Sequence, residues 1–185
     1  MPNRPFVSVI MPVKNFERTI EKTFDYLLNV DYPHDRWEWV IADGGSTDRT
    51  IEIIKEWQKK YLFIQLVSVP NCPSPGFARN QTLNVVKGEF LFFTDADCAP
   101  DKNWVSEMLR HFERDSKIAA VGGEVYTLKV DPKNLVEAWC QHFRFNMVAP
   151  RYGFIKEGYY PDFPKEPRPS DIGGHKAYFF GTCNV

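Results

Sequence analysis

The feature that most restricts the fold is an alternation along the chain. Short apolar runs ending at Pro, Gly or Asp are each followed by a stretch whose apolar residues recur at helical spacing. Residues 7–11 (VSVIM) make the first run, and Pro12, which cannot donate to a β-ladder, predicts the end of a buried strand there. Phe16, Ile20, Thr23, Phe24, Leu27 and Leu28 then share one helical face, which predicts a helix over 17–30. A second strand over 37–42 runs into DGGSTD at 43–48, followed by a helix over 49–60 that buries Ile51, Ile54 and Trp57.

The same rhythm predicts a strand at 64–69, a Pro-rich loop at 70–75, a helix at 76–86 and a strand at 90–94. That strand delivers DAD at 95–97, and a helix at 103–114 and a strand at 118–121 follow. Apolar, non-alternating strands separated by helices predict an α/β fold: a mostly parallel sheet with helices on both faces. In such sheets ligands sit beyond the carboxyl ends of the strands, which here carry Pro12, Asp43, Asp95 and Asp97. Past residue 125 the pattern changes to an aromatic helical stretch at 134–148 (Trp139, Phe143, Phe145). A Pro-, Gly- and aromatic-rich segment at 149–175 and a last strand at 178–183 complete it. A segment as long as 149–175 reads as a lid, a binding segment or disorder.

Length and composition narrow the function classes. With 185 residues the chain is expected to be a single domain, and 43% hydrophobic with 25% charged residues excludes a wholly disordered chain. The charges balance to a net −1, against broad electrostatic binding of nucleic acid. Cys72, Cys98, Cys140 and Cys183 form no CxxC pair, so packing roles in a reducing compartment are expected rather than zinc or disulfide chemistry. No apolar run approaches the ~20 residues of a membrane span, and a soluble chain is expected.

Several side chains point to chemistry, each with a plainer alternative. Asp95 and Asp97, one residue apart after a buried strand, suit a hard divalent cation bridging phosphates; otherwise they form a solvated turn with Asp97 capping the next helix. Asp43 can accept an imide N–H such as N3 of uracil, with Gly44 and Gly45 allowing close backbone approach; the alternative is helix capping by 43–48. Capping is expected of Asp48 and Thr50. Arg79, beside a helix start, suits a diphosphate or lies at the surface. Trp104, Trp139 and Phe143 read as core more than as a sugar platform, and His111, His142 and His175 lack ligand spacing. No GxGxxG follows a predicted strand, which disfavours a dehydrogenase, and Lys14 alone in PVKN (12–15) is too little for a nucleotidyltransferase loop.

Five stretches in order carry a family resemblance: VSVIMPVKN (7–15) with Glu17, WVIADGGSTDRT (39–50), GFARN (76–80), GEFLFFTDAD (88–97) and VGG (121–123), with a weaker FGTCN (180–184). Together they resemble the large family 2 type of inverting glycosyltransferases with the Rossmann-like GT-A fold. The resemblance implies a nucleotide-diphosphate sugar as donor, most simply a UDP-sugar, with residues 1–126 binding it and 127–185 forming part of the acceptor site. Pro12, Val13 and Glu17 would line the nucleoside pocket, Asp43 would hold the base, and Arg79 would face the diphosphate. Asp95 would lie by the ribose and metal, Ala96 would belong to the same donor-binding stretch, and Asp97 would ligate Mn2+ or Mg2+. A glycan or lipid-linked acceptor hydroxyl would attack with inversion, in cell-surface polysaccharide or glycolipid synthesis at the cytoplasmic face of the membrane, with peripheral membrane association.

Two departures stand out. Gly44 occupies a position where many members carry a second aspartate. The family's general base follows the strand matched by 180–184, so the base is expected beyond Val185; Asp162 and Asp171 sit in no matching motif. The alternative function is therefore a nucleotide-sugar binding module that does not transfer.

Overall fold

The computed structural model describes residues 4–115, 117–123 and 133–136. Four strands and four helices alternate: β1 (Val7–Val13), α1 (Ile20–Leu28), β2 (Trp37–Asp43), α2 (Thr50–Lys60), β3 (Ile64–Ser68), α3 (Pro75–Thr82), β4 (Phe90–Phe93) and α4 (Trp104–Arg114). The strands form one sheet in the order β3-β2-β1-β4, and every ladder is parallel. The expected α/β architecture is therefore present.

The two faces of the sheet differ in cover. Val7, Val9, Met11 and Val13 point to the same side as Trp37, Trp39, Ile41, Ile64 and Phe92, and these pack with Phe24 of α1, Ile54 of α2 and Trp104 of α4 in one core. Aromatic rings fill that layer edge to face: Trp39 lies 5.2 Å from Trp37 and 5.1 Å from Phe63, at 71° and 70°. Trp104 meets Phe92 at 5.1 Å and 80°, so it is a core residue, as expected. On the other face α3 sets Ala78 against Ala42 and Val69, a small-residue contact that lets helix and sheet approach closely.

Several boundaries differ from the sequence reading, each for a visible reason. β1 continues through Pro12 to Val13, paired with Ala42 and Asp43. Pro12 has the parity of Ile10, whose carbonyl accepts from Thr94 N at 3.2 Å, so its missing donor faces the β4 side after that ladder has ended. α1 starts at Ile20 rather than 17: residues 17–19 form a turn in which the Thr19 and Ile20 N–H groups both donate to Phe16 O, while the Phe16 and Glu17 N–H groups reach Thr50 and Asp48 at the start of α2. In α2 the buried set is Thr50, Ile53, Ile54 and Trp57, which places Ile53 in the core and leaves Ile51 half-buried. α3 ends at Thr82, four residues early; Thr82 Oγ1 donates to Arg79 O, and Leu83 and Val85 N–H groups bond three residues back. Residues 118–121 form no strand. Of the 134–148 stretch only residues 135 and 136 are described as helical, and 149–175 and 178–183 lie outside the described residues.

Candidate functional site

The sheet order defines where a site can form. The chain steps outward from β1 to β2 to β3 and then returns to the far side of β1 for β4, so β1 and β4 flank the topological switch point. Val13 and Asp43 are partners at the carboxyl ends of β1 and β2, and Asp95 to Asp97 follow β4 at the same end of the sheet. The parallel register thus brings Pro12, Val13, Asp43, Asp95, Ala96 and Asp97 to one edge.

Asp43 is buried to 2% exposure, and its carboxylate organises the turn behind it. Gly45 N–H donates to Oδ2 at 3.0 Å and Ser46 N–H reaches Oδ1 and Oδ2 at 3.1 and 3.2 Å, while Gly45 takes φ +91°, a conformation that favours glycine. Asp43 thus closes a turn and does not cap α2, which starts at Thr50; the helix-start contact expected of 43–48 comes from Asp48. Gly44 lies against Cys72: a Cβ there would meet Cys72 Cβ at 3.2 Å and Val13 O at 3.4 Å, so the missing second aspartate corresponds to space taken by the Pro-rich loop.

Two loops are tied together by reciprocal bonds that sequence reasoning missed. Asn15, at φ 63°, donates its N–H to Ser46 Oγ at 2.9 Å and accepts from Thr47 N–H on Oδ1 at 2.8 Å. Glu17 N–H donates to Asp48 Oδ2, and Glu17 Oε2 in turn accepts from Arg49 N–H, both at 3.1 Å. Asp48 Oδ1 also accepts from Thr50 N–H at 3.0 Å and from Thr50 Oγ1, the capping expected of these two residues. Burial opposes ionisation of Asp48, but the bonds from Thr50 and Glu17 outweigh it and hold its carboxyl below the ordinary carboxylate range. Glu17 thus anchors the loop bordering the β1 end. A hint lay in the Asn, Ser, Thr and Asp content of both loops, but pairings across about thirty residues carry no local signature.

Arg79 projects from α3, whose start is capped by Ser74 Oγ accepting from Phe77 N–H, with Pro75 at the first position. Its Nη2 lies 2.5 Å from Asp95 Oδ1, with the two side chains only 14% and 22% exposed, and its Nε donor is buried without a partner. Asp97 is exposed, and α4 begins instead behind Asp101, whose Oδ1 accepts from Asn103 N–H at 2.8 Å, so Asp97 does not serve as its cap. Ala96 and Cys98 are buried. Burial, together with the Asp97 and Asp95 carboxylates, pushes the Cys98 thiol up, which keeps it neutral and unreactive near neutral pH.

No group of three or more His, Cys, Asp and Glu side chains able to cage a metal occurs among the described residues. The donor set instead suits a Mg2+- or Mn2+-like ion, which is commonly held by one or two carboxylates with substrate phosphates and water completing the shell. Asp162, Asp171 and residues 180–184 lie outside the described residues.

A parallel switch-point sheet with helices on both faces defines an α/β fold of the GT-A type, matching solved glycosyltransferase structures. The chain belongs to glycosyl transferase family 2, whose family model matches residues 8–181. It is 32% identical over 123 residues to a dolichyl N-acetyl-α-D-glucosaminyl phosphate 3-β-D-2,3-diacetamido-2,3-dideoxy-β-D-glucuronosyltransferase of Methanococcus voltae, covering 64% of this chain and 38% of the relative. A probable glycosyltransferase of Bacillus subtilis, YdaM, is 34% identical over 128 residues, covering 67% and 30%. Among solved structures, a Pyrobaculum calidifontis mannosyltransferase, PcManGT, in complex with GDP-Man and Mn2+ matches with a TM-score of 0.59 and 29% identity, over 67% of this chain and 36% of that one. S. aureus TarS in complex with UDP-GlcNAc matches at 0.56 and 25%, over 67% and 38%. The chain spans well under half the length of these relatives.

Proposed function

We propose that this chain is the donor-binding part of a metal-dependent inverting glycosyltransferase that takes a sugar from a UDP-sugar to an acceptor hydroxyl, in polysaccharide or glycolipid synthesis. The observation that carries this reading is the gathering of Asp43, the Arg79–Asp95 pair and Asp97 at the carboxyl ends of β2 and β4 around the switch point. Relatives in complex with UDP-GlcNAc and with GDP-Man and Mn2+ support a nucleotide sugar and a divalent cation.

Asp43 orients the base. Its Oδ2 accepts from both Gly45 and Ser46, leaving spare capacity mainly on Oδ1, which suits the single imide donor of uracil better than the paired N–H donors of guanine. Pro12 and Val13 at the end of β1, with Glu17 in the clasped loop, border the nucleoside. Arg79 offers its buried Nε donor to a diphosphate oxygen. Asp97 and Asp95, flanking Ala96, would hold Mn2+ or Mg2+, and the chemistry such an ion supplies is neutralisation of charge growing on the leaving diphosphate. Residues 1–126 form the donor part and 127–185 contribute to acceptor binding. A cytoplasmic setting belongs to this reading, and among the described residues no helix is long and apolar enough to cross a membrane.

The test is a calorimetric titration of UDP and GDP in the presence of Mn2+, followed by an assay of sugar release and transfer from UDP-sugars. UDP is expected to bind about tenfold more tightly than GDP, a difference of roughly 1.4 kcal/mol. Equal affinity would contradict the assignment of Asp43 to uracil. Binding without hydrolysis or transfer by the 185-residue chain would leave the donor site standing and favour the alternative of a nucleotide-sugar binding module, whereas transfer would contradict a base beyond Val185.

A further inference from the structure

Among the ion pairs with described geometry, Arg79–Asp95 differs from the rest in burial. Arg49–Glu52 and Arg110–Glu107 join side chains 46% to 70% exposed, where such pairs contribute little, whereas Arg79 and Asp95 are 14% and 22% exposed. One partner sits on α3 behind the Ser74 cap, and the other follows β4 within the acidic triplet proposed to hold a cation. A cation arriving at Asp95 therefore meets a carboxylate already engaged by a guanidinium at 2.5 Å. The same guanidinium holds a buried Nε–H with no acceptor, a donor left unmet in the free protein.

We infer that Arg79 is a latch that makes cation and diphosphate bind as a pair: it competes with the cation for Asp95 until a diphosphate draws the guanidinium away. The inference rests on the donor-site reading above. Without nucleotide, the cation must displace or share the Arg79 contact and accept a positive charge beside it, so its affinity is low. A diphosphate supplies acceptors for Nε and the Nη groups, relieves the unmet donor and frees Asp95 toward the cation. Each ligand then raises the affinity of the other by the same factor, as linkage requires. The effect is selectivity: the site ignores free divalent cations and fills when a nucleotide diphosphate is present.

The measurement is Mn2+ binding to the 185-residue chain without nucleotide, followed by the electron paramagnetic resonance signal of free Mn2+, and then the same titration with saturating UDP. The latch predicts that Arg79→Met binds Mn2+ alone about tenfold more tightly than the parent and shows a smaller gain on adding UDP. Arg79→Gln, which also removes the charge, serves in its place should Arg79→Met fail to fold by thermal melting. A residue that merely shaped Asp95 would weaken Mn2+ binding when removed, and one that met only the diphosphate would leave Mn2+-alone affinity unchanged; either result overturns the latch. If the parent gains Mn2+ affinity on adding UDP, the donor-site reading survives that failure. If it gains none, both fall.

Discussion

Asp43 shows how a single buried carboxylate can serve two purposes. Its bonds to the Gly45 and Ser46 N–H groups build the turn, and its proposed second role is to accept from the nucleotide base. Asp43→Ala would leave those donors unmet, so a loss of about 1–3 kcal/mol in urea unfolding is expected, together with weaker UDP binding. Gly88 marks a second residue-level constraint. A Cβ there would fall 2.3 Å from Ser8 N, and Gly88 N–H already donates to Ser8 Oγ, which donates in turn to buried Glu38. Gly88→Ala is expected to cost about 3 kcal/mol or more, read as a lowered thermal midpoint, because backbone rather than a flexible side chain must move. From sequence, GEFLFFTDAD displayed the glycine but not the strand pressed against it.

At the level of elements, helix starts are controlled by partners outside the helix. Ser74 caps α3 locally, and Ser74→Ala should cost about 1 kcal/mol in urea unfolding. α2 is held at its start by Asp48 and by Glu17 from the β1–α1 loop. The Asp48 carboxyl is lowered on folding from its usual 3.8, so the unfolded chain takes up the proton first as pH falls. Its contribution is complete above that value and is lost as pH falls through the lower, folded pKa. Denaturation midpoints of Asp48→Asn should therefore fall less steeply below pH 3.8 than those of the parent, although the variant is the less stable near neutral pH. An equally steep decline would contradict the clasp. The eight elements through residue 114 were legible because apolar runs and helical spacing are local signals. The early end of α3 and late start of α1 were not, because Thr82 back-bonding ends the one and a turn closed on Phe16 O precedes the other.

For the whole molecule, the order β3-β2-β1-β4 is what turns scattered motifs into one edge. Sequence reading placed Asp43, Asp95 and Asp97 at strand ends, and parallel pairing then brings those ends together. The Arg79–Asp95 pair was not legible, since GFARN and DAD are separate motifs whose meeting depends on α3 lying over the face opposite α1 and α2. Residues 118–121 look like a strand by composition yet form none, because a ladder needs a partner that local sequence cannot specify.

Asp97, exposed in the turn that follows β4, is proposed to join metal to nucleotide. Its most direct test is UDP affinity measured with and without Mn2+ in the parent and in Asp97→Asn. The parent should gain about tenfold or more from Mn2+, and Asp97→Asn should lose most of that gain while keeping the parent's thermal midpoint. A parent indifferent to Mn2+, or an Asp97→Asn variant that keeps the full gain, would contradict it.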